Sequence, residues 1–178
     1  MSEASDMPSG FRPFVDLDQA RMRATRRLFA YWRANSAARR FHRTDIDPAA
    51  IVEILPFLIL GDIESAPFRV RFRLVGTSVA EFSRLDFSGR YLDELNYGAR
   101  DSVDWSDCYA HVHDRREPVI GTNRISFLDG KVSTYEFCIL PLWRGADPAG
   151  SFVASESYEG FDRFDIPDLE PVGKRRHR

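Results

Sequence analysis

The segment FRVRFRLV, residues 68–75, alternates apolar and cationic side chains. A period of two puts Phe68, Val70, Phe72 and Leu74 on one face of a strand and Arg69, Arg71 and Arg73 on the other. Such a strand must bury its apolar face against a core. The row of charge also suits a sheet edge, where it resists pairing with a second chain. Gly76 ends the strand and a helix follows, with Thr77 or Ser78 as its cap. Ser78 and Glu81 have the spacing of a capping box. Strand-to-helix junctions of this kind hold nucleophiles or phosphates in some enzymes. GTSVAEF, however, has neither the GxSxG of a nucleophile elbow nor the GxxxxGK[ST] of a phosphate loop. Its residues are accounted for as a strand stop and a helix cap.

The flanking elements follow from the same periodicities. Upstream, residues 17–36 read as an amphipathic helix, with Ala20, Ala24, Leu28, Tyr31 and Trp32 at helical spacing and Phe29 outside that stripe. Asp47 caps a short helix with Pro48 at its first position, Pro56 ends it, and Phe57 to Ile63 is an apolar run of strand length. Downstream, Val79, Phe82 and Leu85 give the 77–85 helix an apolar side. A turn at Ser88-Gly89 leads to a short helical stretch with Leu92 and Leu95. Residues 101–116 form a longer helix with Trp105, Cys108, Tyr109 and Val112 on one side. Residues 119–128 and 131–142 read as a hairpin turning at Asp129-Gly130. RGADPAG reads as a loop and 151–158 as the last strand. This order predicts an α+β fold: one five-stranded antiparallel sheet with helices on one face.

Composition narrows the class. A chain of 178 residues with 43% apolar and 13% aromatic content can bury a core as one domain. The formal charge of −2 gives no overall nucleic-acid signal. Locally, eight arginines and no acidic residue lie between Arg21 and Arg43, and the chain ends KRRHR. A solvated helix face and a basic tail explain this without a nucleic-acid motif. No apolar run is long enough to span a membrane, and the N-terminus lacks the pattern of a signal peptide. Cys108 and Cys138 are far apart, which fits a reducing cytoplasm and provides no zinc site.

Few residues point to chemistry. His111 and His113, two positions apart on the long helix, face different ways and cannot grip one metal as an i, i+4 pair does. Cys108 reads as a small buried hydrophobe. Glu136 lies mid-strand, opposite Tyr135 and Phe137. It is a buried acid needing a partner if its face is covered, or an ordinary outer-face residue otherwise. Phe72, Phe82, Trp105, Tyr109, Phe127 and Phe137 are enough either to enclose a ligand or to fill the space themselves.

The stretches LFAYWRANSA, DIDPAAIVEILPFLILGDIE, FRVRFRLVGTSVAEF, SGRYLDEL and YEFCILPLW, spread over residues 28–158, resemble a PAS domain. More narrowly, they resemble the single-domain PAS_5 group of alphaproteobacteria. The resemblance implies sheet order 2-1-5-4-3, with the central short helices covering a pocket on one face and an N-terminal amphipathic helix. It implies four regions: a disordered 1–16, a helix and linker over 17–46, the PAS-like domain over 47–160, and a flexible basic tail over 161–178. It also implies a non-catalytic cytoplasmic sensor that binds a small ligand or a protein and acts in trans, for instance on a histidine kinase. The pocket candidates are then the six aromatic residues above. Leu28, Phe29 and Trp32 are candidates for a homodimer interface. The cofactor is unknown, with none expected to be covalently bound. His111 is a haem-ligand candidate by analogy with other PAS domains, and no NCRFL-type flavin stretch is present. The competing reading is a small pocket enzyme of the NTF2-like kind, with His113 or Asp104 as general base. That fold would place strands 57–63 and 68–75 at opposite ends of the sheet.

Overall fold

The computed structural model describes residues 12–13, 20–37, 39–95, 104–126 and 132–158. The strands are β1 (Arg12–Pro13), β2 (Leu58–Ser65), β3 (Phe68–Val75), β4 (Val119–Ser126), β5 (Val132–Arg144) and β6 (Asp147–Tyr158). The helices are α1 (Arg23–Ser36), α2 (Thr77–Ser83) and α3 (Trp105–Arg115). Three 3-10 segments, Arg43–Asp45, Pro48–Phe57 and Leu92–Glu94, complete the element order.

All strands join one sheet in the order β1-β4-β5-β6-β2-β3, with antiparallel pairing throughout. Without the two-residue β1, this is the expected 2-1-5-4-3. β2 and β3 form a hairpin and lie side by side, not at opposite ends as the enzyme alternative required. Pro13 sits on an edge strand, where its missing N–H costs no ladder bond.

Four local expectations are corrected. Leu74 does not join Phe68, Val70 and Phe72 but is 45% exposed. Leu60 pairs with Leu74 while Gly61 pairs with Phe72, so Arg73 is the extra residue of a bulge that reverses the alternation. RGADPAG is not a loop: β5 runs to Arg144, β6 starts at Asp147, and two residues turn between them. Gly145 adopts φ +60 there, a left-handed conformation that suits glycine. The cap of α2 is Gly76, with no side-chain cap hydrogen bond, in place of the Ser78–Glu81 box. Finally, α1 begins at Arg23, and Ala20, Arg21 and the extended N-cap Met22 precede it outside the helix.

Asp47 does cap the Pro48 segment, accepting from the Ala49 N–H at 2.9 Å, although that segment is 3-10 and not α. Leu92 and Leu95 pack against the core as read. The expected Asp129-Gly130 turn, Phe127, and the expected disordered start and basic tail lie outside the described residues, apart from β1.

The sheet is covered on both faces. On the inner face, Ile59, Ile63, Val70, Phe72, Phe137, Ile139 and Phe152 meet α2, α3 and residues 87–95. On the outer face, Leu58, Ile120, Cys138, Leu140, Leu142 and Val153 meet α1 and the Pro48–Phe57 segment. The edge of β3 is covered too: Gly89 N–H donates to Phe72 O at 2.8 Å, and Phe72 N–H to Arg90 O at 2.9 Å.

Candidate functional site: an aromatic inner face and a buried acid behind it

Helix α3 is built to face the sheet. Asp104 caps it, accepting from Ser106 N at 2.9 Å and Asp107 N at 3.2 Å. Trp105, Cys108, Tyr109 and Val112 then recur at i, i+3, i+4 and i+7 and meet the inner cluster. Five of the six sequence candidates converge there. Phe72, Tyr109 and Phe137 are buried, and Phe82 and Trp105 are half-buried against the same cluster. Trp105 crosses Phe137 edge-on at 4.8 Å, and Phe72 meets Tyr109 edge-on at 6.1 Å. The sixth, Phe127, is outside the described residues.

Four further aromatics complete the surface: Phe87, Tyr135, Phe152 and Tyr158. Phe82 stacks on Tyr158 at 3.6 Å, and Tyr109 tilts against Phe152 at 4.7 Å. The parity of Phe137 signals Tyr135, two residues away on the same strand. Tyr158 and Phe152 become visible only once β6 is registered on β5. Polar groups border the rings. Asn123 Nδ2 donates to Tyr135 Oη at 2.9 Å, and Tyr158 Oη donates to Glu156. Such a surface can hold a planar or apolar molecule by stacking and fix its orientation at the polar edge.

Neither His111 nor His113 belongs to the buried inner cluster. His111 is 40% exposed, with Nε2 3.9 Å from Glu117. His113 lies between Asp114 and Asp147, edge-on to Phe68 at 6.3 Å. Among the described residues, no group of three or more His, Cys, Asp or Glu side chains is placed to hold a metal ion. Cys108 and Cys138 are buried and are not joined in a disulfide. Burial pushes the Cys138 thiol up to about 12, against a hydrogen bond with Ser155 at 3.2 Å.

Glu136 takes the covered-face alternative. It is 2% exposed, behind the inner face, and its partners are backbone groups. Oε2 accepts from Arg21 N at 2.6 Å and Oε1 from Met22 N at 2.7 Å. Met22 is the N-cap of α1, has no side-chain cap, and is followed by no acidic residue in the first turn. Glu136 therefore supplies from the sheet the anion that the helix N-terminus lacks. Among the described residues, Thr25 Oγ1 on α1 and Ser157 Oγ on β6 are buried without a hydrogen-bond partner. Ser157 is the register partner of Glu136 on β6.

The rest of α1 is tied down along its length. Arg27 bonds Glu53 at 2.7 Å and also donates to Ala50 O; its bond is the main reason the Glu53 carboxyl sits below its ordinary range. Trp32 Nε1 donates to Pro141 O at 2.8 Å. Of the dimer candidates, Leu28 is 1% exposed and belongs to the intramolecular contact. Phe29 and Trp32 are half-buried, with ring centroids 5.9 Å apart.

Similar folds occur among solved structures. A light-oxygen-voltage domain studied with a flavin analogue is 13% identical, covering 62% of this chain and 82% of that one, with a TM-score of 0.47. The light state of the blue-light photoreceptor Aureochrome1 LOV is 10% identical over 63% and 88%, TM-score 0.43. The Rhodobacter sphaeroides LOV protein is 14% identical over 65% and 69%, TM-score 0.44. At these levels nothing about ligand or activity transfers to this chain. No curated protein matches it in sequence. The profile of the PAS_5 family, described as PAS domain, matches residues 20–154. Covering most of the chain and every strand from β2 to β5, that match places the protein in the PAS domain family.

Proposed function

We propose that this chain is a non-catalytic sensory module that binds a small ligand, or a protein segment, at its aromatic inner face and acts in trans on a signalling protein. The reading rests on one juxtaposition. Phe137 and Glu136 are neighbours on β5, one packed in the inner aromatic cluster and the other bonded to the start of α1. A molecule that displaces Phe137 loads the β5 backbone that also carries Glu136, and in this reading the strain reaches the carboxylate behind it. Family membership supports a sensory role.

In this reading Phe72, Phe82, Trp105, Tyr109 and Phe137 touch the ligand; Phe127, the sixth candidate, lies outside the described residues. No covalent cofactor and no haem iron on His111 are required. Phe29 and Trp32 contribute to a homodimer contact on the outer side of α1, with Leu28 beneath them. A histidine kinase is the expected partner, and the cytoplasm the expected compartment. Among the described residues, no helix is long and apolar enough to cross a membrane.

The experiment is purification from the cells that naturally make the protein, followed by native mass spectrometry, an absorption spectrum and identification of co-purifying proteins. The expected result is a dimer that recovers a signalling protein and has no pigment band. A monomer that recovers none, or turnover of a substrate abolished by Trp105→Ala, overturns the reading. A Soret or flavin band overturns the cofactor-free form of it.

A further inference from the structure

Asp62, on the outer face of β2, is 2% exposed and fully engaged. Its Oδ1 accepts from Ser151 Oγ at 2.8 Å and from Arg43 Nη1 at 3.3 Å, and its Oδ2 accepts from Arg73 Nε at 2.6 Å. Burial alone would raise the carboxyl. The Ser151 and Arg73 bonds and the charges of Arg144 and Arg43 outweigh it and hold the carboxyl below its ordinary value. Arg144 stands two residues beyond Leu142, which pairs with Ser151, the register partner of Asp62; its charge acts on Asp62 through space, and it has no ion pair among the described residues. Asp147, its register partner across the turn, is engaged elsewhere: it accepts from Ala149 N at 3.0 Å and lies 3.8 Å from His113 Nε2.

The charge count is unbalanced. Two guanidinium groups bond the Asp62 carboxylate and the charge of a third, Arg144, acts on it, so positive charge exceeds negative around Asp62. One arginine and Ser151 would already engage both oxygens of Asp62. The remaining cations repel one another, and that repulsion is relieved by an anion from solution. Arg43 and Arg73 each direct a single N–H at Asp62, and their side chains are 41% and 35% exposed, so further donors face solvent. Asp62 fixes two of the forks by its own bonds, which reduces the ordering a ligand must impose.

We propose that Arg43, Arg73 and Arg144, organised by buried Asp62, form an oxyanion site on the outer face of the sheet that takes a phosphate-class dianion. A planar guanidinium matches phosphate oxygens two at a time, and a doubly charged anion balances the surplus. The dianion is supplied either as free phosphate or as the phosphate of a small monoester. The site lies behind the aromatic inner face and does not depend on the ligand proposed there.

The test titrates the full chain with inorganic phosphate and, separately, with methyl phosphate, at constant ionic strength balanced by sodium chloride. The thermal midpoint is followed throughout. The expected result is a saturable rise in midpoint with at least one of the two, the stronger identifying the source. Arg144→Gln removes a charge that favours ionised Asp62, so each variant is referred to its own anion-free midpoint; on that scale it should weaken apparent affinity at least about tenfold. Arg144→Lys, keeping charge without the fork, should fall between. No rise beyond that of chloride for either anion, or unchanged affinity in Arg144→Gln, overturns the proposal.

Discussion

Asp62 and Glu136 show how one residue type serves two different needs on the same face of the sheet. Glu136 meets backbone N–H groups and completes a helix end. Asp62 meets side chains and gathers cations. The Asp62 carboxyl lies below its ordinary value of about 3.9, so its stabilising contribution is present above that pH and is lost as pH falls through the lower folded value. Asp62→Asn should cost about 2 kcal/mol at pH 7, the loss of charge-assisted hydrogen bonds. The gap should begin to narrow near about pH 4 and close only below the lower folded value, where Asp62 is protonated and, like asparagine, neutral. Urea unfolding across that range measures this; a constant gap would contradict it. Neither environment is written near these residues in the chain. Arg73 lies on the neighbouring strand, and Arg43 and Arg144 come from opposite ends of the domain, so the cluster appears only once strands are registered.

At the scale of elements, the strand-to-helix junction at Gly76 is fixed by space. A Cβ there would lie 2.2 Å from Pro56 O, 2.5 Å from Pro56 C and 2.8 Å from Leu55 O, all backbone atoms that cannot rotate away. Gly76→Ala should therefore lose about 1–3 kcal/mol by overpacking. Ser78→Ala, removing a hydroxyl that caps nothing, should stay within about 0.5 kcal/mol. Denaturant unfolding of both variants checks the pair, and an unchanged Gly76→Ala would contradict the close approach. The sequence reading placed nearly every element because amphipathic periods survive wherever one face is solvated, as in α3 and most of β3. It could not assign the faces of β5, because YEFCILPLW is buried on both sides and the period of two vanishes. Nor could it see the bulge at Arg73 or the tight turn at Gly145, which depend on pairing and not on composition.

For the whole molecule, one sheet separates two cores, one rich in aromatics under α2 and α3 and one with more aliphatic side chains under α1. The candidate inner-face residues were legible because aromatics at helical or strand spacing stand out. What joins that face to the start of α1 was not legible, because it runs through a glutamate bonding to backbone groups more than a hundred residues away. The central claim is that β5 carries a disturbance from the aromatic core to the start of α1. Amide hydrogen exchange at Arg21 and Met22 tests this most directly in Phe137→Ala, compared with Ile63→Ala. Both remove buried inner-face side chains, and each should cost about 2–5 kcal/mol globally. Ile63 pairs with β3 alone and has no bonded neighbour under α1. Phe137→Ala should speed exchange at Arg21 and Met22 beyond its global loss of stability, while in Ile63→Ala those amides should follow global stability. Equal protection in the two variants, relative to their stabilities, would contradict the account.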